Sequence, residues 1–253
     1  MISLKLAKRE LLNNSRYWLI FTLNLSLGLL GFVLIFLFRE SIGISLEQRA
    51  KTLLSSDIAI SGRRELVDLE QKTIDRYLMD KVSSHTDLVE MYSMGMAEKA
   101  SGAVSRLTFI KAIQGVFPLI GEIRLKDGRE LTQQIIKSLQ AKPVVIISSE
   151  VSHQFKLEQG DFIQLGKTKF NVLGILAKDT TSAMRGVSFA PKVYIGLKQL
   201  AATGLTGHGS IAWFTDFYLL NKNIDHKSTL DDLKKMVKDP AISVRGPKDS
   251  GQQ

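Results

Sequence analysis

Proton transfer and metal ligation near neutral pH fall first to histidine, whose imidazole changes charge there. The chain has four, His85, His153, His208 and His226. None has HxxxH or HExxH spacing, which would set two ligands on one helical face, so solvated surface residues are the stronger reading. Ser83 and Ser84 stand beside His85 as a hydroxyl next to a base. Yet no GxSxG elbow is present to expose a nucleophile, and neighbours in sequence do not make a triad. No GxxxxGK[ST] or GxGxxG opens a helix after a strand, so no nucleotide cradle is expected. Acid pairs such as Glu158 with Asp161 read as solvated turn residues, and Gly128, Gly160, Gly166 and Gly174 as turn or close-approach positions. Cysteine is absent, which removes disulfide, thiolate-metal and thiol-nucleophile chemistry together. The expectation is a protein that is not an enzyme, with no catalytic, cofactor-binding or metal site.

The elements that could position other chemistry are set by length and charge. The 253 residues suffice for a membrane segment with one large domain or two small ones. The net charge is +9. Lys5, Lys8, Arg9, Arg16 and Arg39 against Glu10 and Glu40 place part of it in the first 40 residues, and the remainder is of mixed sign. A nucleic-acid surface calls for a dense basic stripe or interleaved stacking aromatics. Neither is visible, so no nucleic-acid partner is expected. A weakly basic domain near anionic headgroups is the simpler account, beside an ordinary solvated surface.

Residues 17–38 (YWLIFTLNLSLGLLGFVLIFLF) carry no charge. A helix of that length, at about 1.5 Å per residue, spans the hydrocarbon of a bilayer. The run exceeds a signal-peptide core and ends in Phe38-Arg39-Glu40 rather than small residues, which favours an uncleaved anchor. The preceding positive charge puts residues 1–16 in the cytoplasm, as an interfacial segment, and 39–253 outside. Asn24, Ser26, Gly28 and Gly31 read equally as a face for neighbouring helices or as a set tolerated in lipid.

Beyond the membrane, 44–55 reads as a helix leaving it, 57–61 as a strand, and 65–82 as a helix burying Leu66, Leu69, Ile74, Leu78 and Val82. Two extended runs, 88–99 and 103–114, turn at Ser101-Gly102. Strands follow at 122–125 and 143–147, then a helix at 149–155, a hairpin of 162–165 with 169–176, and a polar loop at 178–187. Strands at 192–195 and 214–220, a helix at 228–237 and a last strand at 241–244 complete the order. Helices and strands are interspersed without regular alternation, giving an α+β class with a small β-rich lobe inserted at roughly 115–205.

Five stretches resemble MacB/FtsX-type ABC-transporter permeases, most closely the YbbP-like branch. They are LSSDIAISGRR at 54–64, KAIQGVFPLIG at 111–121, LEQGDFIQLG at 157–166, APKVYI at 190–195 and ATGLTGHGS at 202–210. Ser56 departs from the Ala or Gly usual there. The resemblance implies one transmembrane helix followed by a MacB-like periplasmic domain in the bacterial inner membrane, N-terminus cytoplasmic. It implies a cytoplasmic ABC ATPase as partner, which holds the catalytic residues, and helices that transmit motion rather than line a pore. Lipid-like, lipoprotein or other hydrophobic cargo and a periplasmic partner are further implications. The chain then reads as the N-terminal piece of a larger permease. The competing readings are a membrane-anchored extracytoplasmic sensor and a regulator of a cell-wall hydrolase, which share the helix-and-domain plan.

Overall fold

The computed structural model describes residues 15–54, 56–99, 102–181, 190–207, 210–247 and 249. Residues 1–14 of the expected interfacial segment 1–16 and most of the polar loop 178–187 therefore lie outside the described residues. The chain divides into two units, Met1–Gln48 and Arg49–Gln253. The first holds most of helix α1 (Ser15–Leu54). Its stretch Trp18–Arg39 has a mean hydropathy of 2.4 and buries nothing within the protein. This helix is long and apolar enough to cross a membrane, as the sequence leads one to expect. The exit helix expected at 44–55 is the unbroken continuation of α1, and Gly43 does not interrupt it.

The second unit is built on ten strands: β1 (Ile58–Gly62), β2 (Val82–Lys99), β3 (Gly102–Ile113), β4 (Ile123–Leu125), β5 (Val144–Ile147), β6 (Phe162–Leu165), β7 (Thr168–Asp179), β8 (Lys192–Gly196), β9 (Ala212–Leu220) and β10 (Ile242–Arg245). They form one sheet in the order β10-β1-β9-β2-β3-β8-β5-β7-β4. β6 bridges β7 and the middle of β2, through Gly95↔Leu165 and Met96↔Gln164. The path β2-β3-β8-β5-β7-β6 therefore returns to β2, so six strands close on themselves. The stretch 115–205, expected as an inserted lobe, supplies β4 to β8 and joins the remaining strands through the parallel β3–β8 pair and the antiparallel β2–β6 pair.

Alternation along the strands sorts side chains into three cores. Val89, Met91, Ile110, Val145, Ile147, Ile163, Phe170, Val172, Val193 and Ile195 fill the closed ring. They meet Val151 and Phe155 of α4 (Ser149–Phe155) and Leu200 of α5 (Leu197–Thr203). The opposite face packs Ile113, Ile146 and Tyr194 against Ile136 and Leu139 of α3 (Gln133–Ala141), with Leu54 in the same cluster. A third core places Ile74 and Leu78 of α2 (Asp68–Leu78) and Leu233 of α6 (His226–Met236) on β1, β9 and β10.

Two expectations for α2 are corrected. The helix ends at Leu78, and Val82 already belongs to β2. Leu69, expected on the buried face, is 76 % exposed. The helix begins only at Asp68, where Glu70 reaches back to accept from the Val67 N–H. Leu69 thus falls in the first turn, off the stripe through Ile74 and Leu78. Helices α3 and α5 were not expected.

Candidate functional site

The strand pair β2–β3 carries an unusual set of side chains on one face. Its register sets Glu90 opposite Lys111 and Tyr92 opposite Phe109. Glu90 and Lys111 are both fully buried, with Lys111 Nζ 3.6 Å from Glu90 Oε1. Lys111 Nζ also lies 3.5 Å from Thr181 Oγ1 and over the rings of Tyr194 and Phe117. Around it, Asp179 collects donors: Tyr194 Oη at 2.8 Å, Lys192 Nζ at 3.0 Å, and Thr181 Oγ1 and N at 2.6 and 2.9 Å. A buried charge is tolerated only when paired and hydrogen-bonded. Burial pulls the Lys111 ammonium below its usual pKa, against the opposing pull of Glu90 and Asp179. Burial alone would lift Asp179, yet the charges of Lys111 and Lys192 outweigh it and hold the carboxyl below its usual range. Burial, with Asp179 beside it, raises the Tyr194 phenol well above its usual value, so it remains a donor. The network ties β2, β3, β7 and β8 together.

The same face runs outward from this network into an apolar surface. Tyr92 packs on Phe109 at 4.8 Å and edge-on to Trp213 at 6.2 Å. Beyond them Met94 and Leu107, opposite each other in register, are 53 % and 49 % exposed. An open cleft lined by Tyr92, Ser105, Arg106, Leu107, Gln154, Ala190 and Pro191 lies alongside. This surface can bind apolar groups or another chain.

A second cluster sits on the opposite face. Asp87 and Asp216 are direct partners across β2 and β9. They line a cavity of about 240 Å³ with Arg64, Glu65 and Gln71. Burial first, then the neighbouring Asp87, Asp75 and Glu65, push the Asp216 carboxyl up to about 7. Burial likewise raises Asp87, although His85 draws it down.

The histidines are dispersed. His85 stacks on Tyr218 with ring centroids 6.2 Å apart, His226 Nδ1 lies 3.6 Å from Asp57 Oδ1, His153 is on α4, and His208 lies outside the described residues. Ser83 Oγ donates to the Leu219 carbonyl. Among the described residues, no group of three or more His, Cys, Asp or Glu is placed to hold a metal ion. Glu158 and Asp161 do form a turn, the Glu158 N–H donating to Asp161 Oδ2 at 2.9 Å. Sequence reasoning missed the Glu90–Lys111 network. Its local signal was one charged residue inside each of two short apolar stretches, 88–92 and 109–113.

A family model described as MacB-like periplasmic core domain matches residues 19–234. No curated protein matches the chain. Solved structures that are similar to it include three bacterial domains. The periplasmic region of MacB from Actinobacillus actinomycetemcomitans has 16 % identity and a TM-score of 0.48, over 80 % of this chain and 94 % of that one. The extracellular domain of the noncanonic ABC-type transporter YknZ from Gram-positive bacteria has 13 % identity and a TM-score of 0.49, over 75 % and 99 %. A domain of a permease protein from Porphyromonas gingivalis has 12 % identity and a TM-score of 0.45, over 76 % and 91 %.

Proposed function

Because the chain belongs to the MacB-like periplasmic core domain family, we propose that it is a component of an ABC-transporter permease whose folded domain lies in the periplasm. The single observation that carries this reading is the reach of the family match. It runs over 19–234 and takes in most of the apolar helix and strands β1 to β9. In this reading a cytoplasmic ABC ATPase supplies the chemistry and the present chain supplies none. Its domain couples ATP hydrolysis to the movement of lipid-like or other hydrophobic cargo in the cell envelope. The exposed Tyr92–Met94–Leu107 surface supports contact with such cargo or with a periplasmic partner. The ordered stretches at 54–64, 111–121, 157–166, 190–195 and 202–210 support the YbbP-like branch within the family.

The test is to purify the protein from its native membrane in mild detergent and identify what accompanies it by mass spectrometry. Stoichiometric co-purification of an ABC ATPase is the expected result. Capture of a signalling protein or a cell-wall hydrolase without an ATPase would replace the permease reading with a sensor or regulator.

A further inference from the structure

The last turn of α1, from Arg49, belongs to the same unit as the domain, and Leu54 at its end is buried in the second core. The chain then enters β1, which lies between β9 and β10 with every residue buried. Toward α1 the β1–β9 ladder ends at Ile58↔Tyr218, with the Asp57 N–H donating to the Tyr218 carbonyl at 3.0 Å. Continuing that register would set the Leu220 N–H opposite Ser56. The Asp57 side chain supplies the acceptor instead: Oδ2 takes the Leu220 N–H at 3.1 Å. Its other oxygen, Oδ1, lies 3.6 Å from Nδ1 of His226, the first residue of α6. A carboxyl that is 4 % exposed must be held by such partners. The far end of β1 is held by Arg64, which forks onto Glu70 of α2 at 2.8 and 2.9 Å and reaches Asp239, ahead of β10, at 3.2 Å.

An antiparallel strand drawn from one end comes away pair by pair, so the end pair decides whether it begins to leave. For β1 the end drawn on by α1 is the one that Asp57 closes. We propose that Asp57 is the positioning residue of this joint. By binding the entry of β1 to the end of β9 and the first turn of α6, it makes a pull on α1 move β1, β9, β10, α2 and α6 as one layer. The rest of that layer is already continuous. Ile58 and Ile60 pack with Ile74 and Leu78 of α2, Leu233 of α6, and Ile242 and Val244 of β10. Tyr77 Oη donates to Asp232 Oδ2 at 2.8 Å and joins α2 to α6 directly. Removing the carboxylate would leave the buried Leu220 N–H without its acceptor, at the one place where β1 can start to peel. That α1 moves at all rests on the permease reading; the joint itself does not.

The chain contains no cysteine, so handles can be attached at chosen pairs of introduced cysteines. The full chain is held in lipid bicelles and drawn at constant force in magnetic tweezers. One pair, Glu47→Cys with Lys137→Cys, pulls through the end of α1 and β1. The other, Lys137→Cys with Lys222→Cys, leaves β1 outside the stretched path. Asp57→Ala is expected to raise the opening rate about tenfold in the first pair and less than about twofold in the second, the order set by losing one hydrogen bond to a charged group. Asp57→Asn keeps an acceptor for the Leu220 N–H and should open at a rate between those of the wild type and Asp57→Ala. If the alanine variant does not fold, Asp57→Asn should still open faster than the wild type in the first pair alone. Equal acceleration in both pairs would reduce Asp57 to a general contribution to stability and would overturn the proposal. So would an unchanged rate in the first pair, or an Asp57→Asn chain that opens as fast as Asp57→Ala. Because the tweezers supply the pull, failure here leaves the permease reading standing, and failure to capture an ATPase leaves the joint standing.

Discussion

Lys111 occupies a position that alternation assigns to a buried face, and its ammonium can remain there only because Glu90, Thr181 and two aromatic rings surround it. Replacing it with methionine keeps the stem but takes the Lys111 ammonium away from Glu90. Removing one member of a buried pair costs about 3–5 kcal/mol, so Lys111→Met should lower unfolding stability by that order in a urea titration. The double variant Lys111→Met with Glu90→Leu should lose less than the sum of the two single variants, because each single variant already removes their mutual attraction. At the other face, Asp216 titrates near 7 instead of near 3.8. The folded state thus holds a proton that the unfolded state has released between those values. Stability from this group is complete below about 3.8, falls as pH rises through 7, and is flat above it. Asp216→Asn should therefore stabilise the domain at pH 8 by on the order of 2 kcal/mol and little at pH 4, as denaturation at the two pH values would report. Little of this was legible in sequence. Turn residues such as Glu158 and Asp161 show their partners within three positions, whereas Glu90 with Lys111 and Asp87 with Asp216 meet only through strand register.

The apolar helix, the β2–β3 hairpin, β5, the β6–β7 hairpin and α4 were readable from their local pattern. Helices α3 and α5 were not, since each owes its place to partners distant in sequence. Gln140, next to the end of α3, donates to the Ile113 carbonyl and accepts from the Lys198 N–H at the start of α5. Gly196, between β8 and α5, shows the same dependence. A Cβ there would land on the backbone carbonyl of Leu139 in α3, and backbone cannot swing aside as a side chain can. Gly196→Ala should cost about 1–3 kcal/mol through overpacking. Gly128→Ala is the comparison: nothing lies within 4 Å of a Cβ there, so its cost is limited to backbone strain at a φ of +85°. Thermal melts of the two variants separate close approach from conformational strain, and Gly196→Ala melting no lower than Gly128→Ala would refute the role given to α3.

For the whole molecule, the orientation of the anchor is the expectation most open to measurement. Positive charge before the span predicts that the N-terminal residues stay in the cytoplasm. With no native cysteine, Lys222→Cys in the exposed turn after β9 should react with an impermeant maleimide in intact spheroplasts, and Lys8→Cys should react only after lysis. The opposite pattern would invert the topology. The sequence by itself determined the span, the α+β class, the order of most elements and the family resemblance. Each rests on a local signal, whether an unbroken apolar run, a period of two or 3.6, or a short motif. Only the tertiary structure decided that β6 returns to β2 and closes six strands into a ring, and that four distant residues converge on Lys111. Strand pairing and charge burial are settled by contacts between positions tens of residues apart, and no local pattern specifies which of many compatible partners a strand will take.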